Sequence, residues 1–157
     1  MHEGALTTFA RSVARDRWSA EEAVQDTLVR AWKYLDTFDR RGSFEGWLLR
    51  ICRNVVIDHA KAATRRPPTM ESTALDRIAP AVDNDTSHEL LELLHQLTVD
   101  HREVLVLVGI LGMTYDEAAD TLDVPVGTVR SRLGRARDAF GRLLAESEDI
   151  STHVGAA

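Results

Sequence analysis

Arginine side chains cluster in one short part of the chain, where they could bind nucleic acid. Residues 128–142 contain five arginines and one aspartate, although the whole chain carries a net charge of -6. Projected as a helix, this segment places Arg130 and Arg135 opposite an apolar stripe that contains Val129 and Leu133. Guanidinium groups pair with phosphate and can contact guanine through two hydrogen bonds. The pattern predicts a DNA-binding face, with a solvated arginine face as the alternative.

A short capped helix just before this segment favours the DNA-binding interpretation. Thr114 and Glu117 fit the spacing of a capping box, in which each side chain accepts a hydrogen bond from the backbone N–H of the other residue. Asp123 and Val124 then end that helix, and Pro125 suits the start of the next one. Two helices joined by so short a connection are typical of a helix-turn-helix, whose second helix enters the major groove of DNA.

The elements that must position these residues are also predicted to be helices. No segment alternates apolar and polar residues for long, as a half-buried strand would. Ser19 and Glu22 fit the spacing of a capping box, which predicts a helix from about Ala20 to Tyr34, and Asp100 and Glu103 fit the same spacing. Apolar spacing predicts the remaining helices over residues 5–15, 44–63, 86–97, 100–111, 114–122 and 125–144. The predicted fold class is all-α.

Prolines and polar residues divide the chain into two parts. Three of the four prolines lie between residues 67 and 80, where they remove backbone donors and restrict the residues before them. A structureless loop of this length is uncommon inside one domain. The sequence therefore predicts two small helical domains joined by a flexible linker, with the boundaries 1–63, 64–86 and 87–145 and a C-terminal tail at 146–157.

Composition and the remaining motifs exclude several classes of protein. The 157 residues are 44% hydrophobic and 28% charged, as in a soluble globular protein. The single cysteine, Cys52, excludes an internal disulfide framework, and its place on an apolar stripe predicts a core thiol. No nucleotide loop, catalytic triad or convincing metal site is visible, and no signal peptide is visible either. We expect no catalysis, no cofactor, no bound metal and a cytoplasmic location.

Three segments resemble regions of one protein family. Residues 114–137 resemble region 4 of bacterial extracytoplasmic-function (ECF) sigma factors, the fourth group of the sigma-70 family. Residues 20–32 resemble the region 2 helix that docks on core RNA polymerase, and residues 44–54 resemble the promoter-melting helix. The resemblance extends over about residues 5–145. It implies a sigma factor that binds the clamp helices and the flap of core polymerase, recognises promoter DNA, and is controlled by an anti-sigma factor.

The resemblance also implies roles for individual residues. The positions that face the clamp helices of the largest polymerase subunit are Glu22, Gln25 and Asp26. In relatives, the loop before the melting helix holds a base flipped out of the minus-10 element, and the helix reads a base and supports the strand backbone. The matching residues are Arg40, Arg41, Ser43, Arg53, Asn54 and Lys61. The positions that contact the minus-35 element are Thr128, Arg130, Ser131, Arg135 and Arg137.

Several alternatives remain open from the sequence. Glu22 could serve only as a helix cap, and the aromatic residues Trp32, Phe38 and Trp47 are interpreted as core and not as platforms for bases. A free-standing transcription regulator would need residues 1–63 to form a dimer. A sigma-like decoy would bind regulators without starting transcription. No direct contact with a membrane is expected, although an anti-sigma factor could hold the protein there.

Overall fold

The computed structural model describes residues 2–65 and 85–155, and the regular structure in these ranges is entirely helical. The described ranges contain seven α-helices, which are α1 (His2–Val13), α2 (Arg17–Lys33), α3 (Phe44–Arg65), α4 (Asp85–His95), α5 (Val99–Val104), α6 (Tyr115–Leu122) and α7 (Val126–Gly155). A short 3-10 turn follows α2, and a π-helical turn at Leu105–Ile110 follows α5. The all-α prediction is confirmed. Most of the predicted linker lies outside the described residues.

The N-terminal half, residues 2–65, is a three-helix unit in which α1, α2 and α3 pack against each other. Its core contains Leu6, Phe9, Leu49 and Cys52, all fully buried. Burial raises the pKa of the Cys52 thiol to about 11, although a hydrogen bond with Thr27 opposes that change. A thiol with so high a pKa is a poor nucleophile, which agrees with its predicted place in the core.

Helix α2 begins earlier than the sequence analysis predicts. Asp16 has an extended backbone conformation, and its side chain accepts a hydrogen bond of 2.7 Å from the backbone N–H of Ser19. The helix therefore starts at Arg17, and the predicted capping box of Ser19 and Glu22 is wrong. Asp16 reaches the free N–H groups first, because an aspartate one residue before a helix is among the best caps. Glu22 is exposed inside the helix and is not needed to cap it.

The C-terminal half, residues 85–155, confirms one capping box and corrects another. Thr114 and Glu117 form the predicted box, with hydrogen bonds of 2.9 and 3.1 Å. Thr98 instead of Asp100 caps α5, because its hydroxyl accepts a hydrogen bond from the backbone N–H of His101. Glu103 does not take part in this cap and instead pairs with Arg53. Helix α7 continues to Gly155, about a further three turns beyond the predicted end near residue 144.

The two halves pack against each other through α1, α4 and α5 on one side and through α3 and α6 on the other. Their buried apolar residues form one continuous core. Arg102 crosses the boundary, since its buried guanidinium donates to the carbonyl oxygen of Ser12 over 3.2 Å and to those of Leu94 and Leu97 over 3.0 Å. His95 crosses it as well, because its Nε2 lies 3.0 Å from the carbonyl oxygen of Arg11.

His95 makes the folded chain sensitive to acid. Burial lowers the pKa of His95 below its usual value of 6.5, the bond to the Arg11 carbonyl oxygen opposes this, and the cation of Arg102 adds to it. The unfolded chain therefore binds the proton more readily than the folded chain, and the free energy of unfolding falls as the pH falls below about 6.5. We expect urea denaturation of His95→Gln at about pH 7.5 and pH 5.5 to show a smaller loss of stability than the unmodified protein.

His88→Gln is the matched control for this measurement, because His88 is exposed on the same helix. It should lose as much stability on acidification as the unmodified protein does. Burial raises the pKa of the Glu103 carboxyl, so Glu103 changes the free energy of unfolding in the opposite direction as the pH falls. Glu103 is present in all three proteins, so its contribution cancels when they are compared. An equal acid response in the His95 and His88 variants would contradict the prediction.

Candidate nucleic-acid interface

The exposed face of α7 carries the predicted minus-35 residues. Val129, Leu133 and Ala136 point into the core and are at most 1% exposed. The opposite face lies open to solvent and carries Arg130, Ser131, Arg135 and Arg137, with Thr128 half-buried at its edge. This division confirms the helical projection. It leaves the guanidinium groups free to approach the edges of base pairs and the phosphates of a major groove.

Tyr115 and Gly134 determine the shape of this exposed face. The guanidinium of Arg130 lies over the ring of Tyr115 at 5.7 Å, so the first helix of the helix-turn-helix restrains an arginine on the second. Tyr115 carries no local sequence signal that would predict this contact. A Cβ atom added at Gly134 would meet nothing within 4 Å, so packing does not require a glycine there, and Gly134 leaves a gap in the middle of the exposed face.

The loop between α2 and α3 presents the predicted minus-10 residues. Arg40 has a left-handed backbone with φ of 61°, and the backbone N–H of Arg41 donates to Asp39 over 3.0 Å. Ser43 caps α3, because its hydroxyl accepts from the N–H of Gly46 over 2.8 Å. Arg40, Arg41 and Ser43 are all exposed. The loop thus turns sharply and displays cationic and polar groups together.

An aromatic cluster supports this loop from below. The rings of Phe38, Phe44 and Trp47 lie 5.3 to 5.5 Å apart, centroid to centroid. All three side chains are half-buried, so they act as a partly covered core at the base of the loop, as the sequence analysis expects for Phe38 and Trp47. Such packing fixes the position of the loop.

Helix α3 continues the exposed polar surface beyond the loop. Asn54 and Lys61 are exposed and lie two turns apart, roughly 10 Å along the helix. Arg53 differs from them, because its side chain is 23% exposed and its Nε donates to Oε1 of Glu103 over 3.0 Å. Among the predicted minus-10 residues of α3, two therefore face solvent and one is held by the C-terminal half of the protein.

A second exposed surface runs along α2. Glu22 and Gln25 are exposed, and Asp26 is half-buried with its carboxylate 2.7 Å from Nε2 of His59. The interpretation of Trp32 as a core residue is wrong, because 82% of its surface is exposed. Helical spacing aligns five exposed side chains, which we call the docking stripe: Trp18, Glu22, Gln25, Val29 and Trp32.

A cleft of about 960 Å³ separates the loop from the helix-turn-helix. One wall contains Arg41, Ser43 and Arg50, and the other is the acidic face of α6, which consists of Asp116, Glu117, Asp120 and the adjoining Asp123. In the described ranges no group of three histidine, cysteine or acidic side chains could hold a metal ion. None of the described helices is long and apolar enough to cross a membrane.

Comparisons with known proteins identify both halves of the chain. The family model for sigma-70 region 2 matches residues 1–66, and the model for sigma-70 region 4 matches residues 87–140. The ECF RNA polymerase sigma factor SigC of Mycobacterium tuberculosis is 35% identical, over 92% of this chain and 84% of its own. The ECF RNA polymerase sigma factor EcfG of Rhodopseudomonas palustris is 33% identical, over 88% of this chain and 78% of its own.

Two solved structures share the fold over nearly the whole chain. The sigma factor RpoE from Bartonella quintana, crystallised with the anti-sigma factor NepR, superposes with a TM-score of 0.74 at 28% identity and covers 92% of both chains. CnrH, in complex with the cytosolic domain of CnrY, superposes with a TM-score of 0.69 at 33% identity, over 92% of this chain and 83% of its own.

The helix-turn-helix, the arginine face and the three-helix unit together are typical of a helical transcription factor. The chain belongs to the sigma-70 family and, within it, to the ECF sigma factors. It is therefore an RNA polymerase sigma factor, the subunit that gives core polymerase its promoter specificity. From here the N-terminal half is called the region 2 domain and the C-terminal half the region 4 domain.

Proposed function

We propose that three surfaces of this sigma factor carry out promoter recognition in separate steps. The docking stripe together with Asp26 binds core polymerase, and the region 4 domain also contacts its flap. The exposed face of α7 binds the minus-35 duplex, and the loop with α3 traps minus-10 bases. The observation that carries the proposal is the solvent-exposed face of Arg130, Ser131, Arg135 and Arg137 on the second helix of a capped helix-turn-helix.

Melting of the minus-10 element is proposed to draw its energy from captured bases. No nucleotide is needed, because a flipped base held by polar groups and backbone contacts offsets the cost of unstacking. Arg40, Arg41 and Ser43 would hold the base in the loop, Asn54 would read a base edge, and Arg53 with Lys61 would bind the backbone. We propose accordingly that the chain catalyses no reaction by itself and requires no cofactor.

Asn54 and Lys61 provide a matched pair that separates base reading from backbone binding. Asn54→Ala should weaken binding to the preferred minus-10 strand by about 1 kcal/mol, roughly fivefold, and should reduce discrimination between bases, because an amide offers a donor and an acceptor to one base edge. Lys61→Ala should weaken binding to all strands alike and reduce the salt dependence by about one phosphate contact. Both side chains are exposed, so folding should be unaffected.

The measurement is fluorescence anisotropy of the holoenzyme with labelled minus-10 strands that carry single-base changes, at several salt concentrations. Uniform weakening in the Asn54 variant would contradict its role in base reading. A change of base preference in the Lys61 variant would contradict its assignment to the backbone.

The protein is proposed to be held inactive by an anti-sigma factor and to work in the cytoplasm. The similarity to RpoE and CnrH, whose structures were solved with NepR and with the cytosolic domain of CnrY, supports this control. A membrane-bound anti-sigma factor would place the protein at the membrane without any contact between the protein itself and the lipid.

The proposed domain boundaries are 1–63 for region 2, 64–86 for the linker, 87–145 for region 4 and 146–157 for the tail.

The experiment that tests the proposed function is run-off transcription with bacterial core polymerase on DNA from upstream of the gene for this protein. A discrete transcript that depends on the protein would support the proposal and locate the promoter. If no transcript forms, core binding on the same sample decides the interpretation. Binding without transcription would favour a decoy or a different promoter, and no binding by folded protein would overturn the proposed function.

A further inference from the structure

The carboxylate of Asp26 is held by a residue from the next helix. Asp26 lies on α2, and its Oδ2 is 2.7 Å from Nε2 of His59, which lies on α3. An ionised carboxylate only accepts hydrogen bonds, so Nε2 of His59 is the donor. His59 therefore makes a long-range contact to one of the three residues that are proposed to face the clamp helices of core polymerase.

Asp26 lies at the edge of the docking stripe that is nearest to α3. A helical projection places it about 40° from Glu22 and about 60° from Val29. The side chain of Asp26 is 46% exposed, whereas that of His59 is only 28% exposed. The imidazole thus supports the carboxylate from the side of the protein, and the carboxylate stays accessible to a partner.

Arg30 and Asp58 form a second contact between the same two helices. Nη1 of Arg30 donates to Oδ2 of Asp58 over 3.1 Å, and the side chains are 40% and 53% exposed. Surface ion pairs of this kind contribute little to stability, and buried residues of both helices supply the main packing between them. The bond between His59 and Asp26 is therefore not needed to hold α2 against α3, and it differs from its neighbour because it fixes a residue of the proposed polymerase-binding surface.

A fixed carboxylate binds a partner at a smaller cost than a mobile one. An exposed aspartate exchanges between rotamers, and ordering such a side chain on association subtracts from the free energy of binding. The bond to His59 uses Oδ2 of Asp26, and a carboxylate has about four lone-pair sites, so it can still accept a hydrogen bond from a second donor. An ammonium or guanidinium group of the partner would form such a bond with assistance from its charge.

We propose that His59 is a positioning residue for core polymerase binding, and that the docking surface of the region 2 domain extends from α2 onto α3 through it. This inference rests on the proposed role of Asp26 in core binding. His59 holds the carboxylate in the orientation in which it meets a lysine or arginine of the polymerase. The cost of ordering Asp26 is then incurred when the domain folds and not when it binds.

The test is a double-mutant cycle at Asp26 and His59 in the full-length protein, measured by surface plasmon resonance with immobilised core polymerase. His59→Ala should raise the dissociation constant roughly three- to tenfold, as expected when one more side chain must be ordered on binding. In the Asp26→Ala background the same substitution should have no further effect, because His59 acts only through that carboxylate. Equal weakening in both backgrounds would show a merely structural role and would overturn the proposal.

Two substitutions of His59 distinguish positioning from packing. The amide nitrogen of glutamine lies as far along the side chain as Nε2 of histidine, so His59→Gln should restore the dissociation constant to within about twofold of that of the unmodified protein. The amide of asparagine is too short to reach Asp26, so His59→Asn should bind as weakly as His59→Ala. These two variants carry the test if circular dichroism shows that His59→Ala does not fold. Equal affinities for the glutamine and asparagine variants would overturn the proposal.

Asp58→Ala is the matched control, because it removes the neighbouring contact between the same two helices. It should lower the melting temperature about as much as His59→Ala does and leave core binding unchanged. Weaker core binding by Asp58→Ala to the same extent as by His59→Ala would contradict the proposal, since any loosened contact between α2 and α3 would then suffice.

The single variant Asp26→Ala separates this inference from the proposed function. If Asp26→Ala binds core polymerase as tightly as the unmodified protein, the proposed role of Asp26 is wrong and the role of His59 is wrong with it. If Asp26→Ala weakens binding and His59→Ala does not, only the role of His59 is overturned, and Asp26 keeps its place in the polymerase-binding surface.

Discussion

Replacing Arg130 with alanine should weaken binding of the holoenzyme to its promoter by about 1–3 kcal/mol, roughly 5- to 150-fold, and should relax base preference at one minus-35 position. Arg130 lies on the exposed face of α7, and the ring of Tyr115 lies 5.7 Å from its guanidinium. A restrained guanidinium loses less freedom when it contacts a base edge. On the proposed assignment, replacing Arg130 removes a directed contact with a base edge as well as a positive charge.

Arg142→Ala is the control, because Arg142 is also exposed on α7 but lies about three turns further along the helix. This variant loses the same charge and should keep the base preference of the unmodified protein. The measurement is promoter binding by electrophoretic mobility shift with a set of minus-35 variants at constant salt. If Arg130→Ala and Arg142→Ala weaken all minus-35 sequences to the same extent, Arg130 contributes only general electrostatic attraction.

Helices are predicted correctly where capping residues and apolar spacing lie within a few positions of each other. The capping box of Thr114 and Glu117 and the apolar stripe of α7 depend on residues a few positions apart, and the structure confirms both. The starts of α2 and α5 were missed because a better cap lay just upstream in each case: Asp16 before Ser19, and Thr98 before Asp100. Capping is a competition between neighbouring side chains, and the box pattern alone does not say which one prevails.

Long-range contacts could not be predicted in the same way. Glu103 fits a capping box by its spacing, but it pairs with Arg53, fifty positions away. Nothing in the local sequence distinguishes a capping glutamate from one that crosses a domain boundary. Trp32 shows the converse problem, because an aromatic residue in an amphipathic helix is usually buried. Its helical alignment with Glu22 and Gln25 was the available signal, since residues that share a face share an environment.

Replacing Trp32 with alanine should cause the largest loss of core polymerase binding of any single substitution in the docking stripe. Trp32 exposes 82% of its surface, and Val29, one turn before it, exposes 67%. An exposed tryptophan beside an exposed valine is apolar surface that water solvates poorly, and tryptophan is the residue type most enriched in binding hot spots. We expect a loss of about 2 kcal/mol or more, which is roughly 30-fold in the dissociation constant.

The polar members of the docking stripe should contribute differently from Trp32. Glu22 and Gln25 lie on the same face, and exposed polar groups at the edge of an interface mainly affect the rate of association and its salt dependence. Gln25→Ala should therefore cost less than Trp32→Ala, and Glu22→Ala should reduce the association rate mostly at low salt. A larger loss of binding for Trp32→Ala than for Gln25→Ala or Glu22→Ala would indicate an interface with an apolar centre and not one that depends on charge alone.

Ile150→Ala is the control for Trp32→Ala, because Ile150 is a large apolar residue that is 66% exposed near the far end of α7. Both variants remove exposed apolar surface, so neither should change the melting temperature appreciably. Surface plasmon resonance with immobilised core polymerase measures the dissociation constant of each. Equal affinities for the two variants would mean that the docking stripe does not contact polymerase through Trp32, and the exposed tryptophan would then require a different partner.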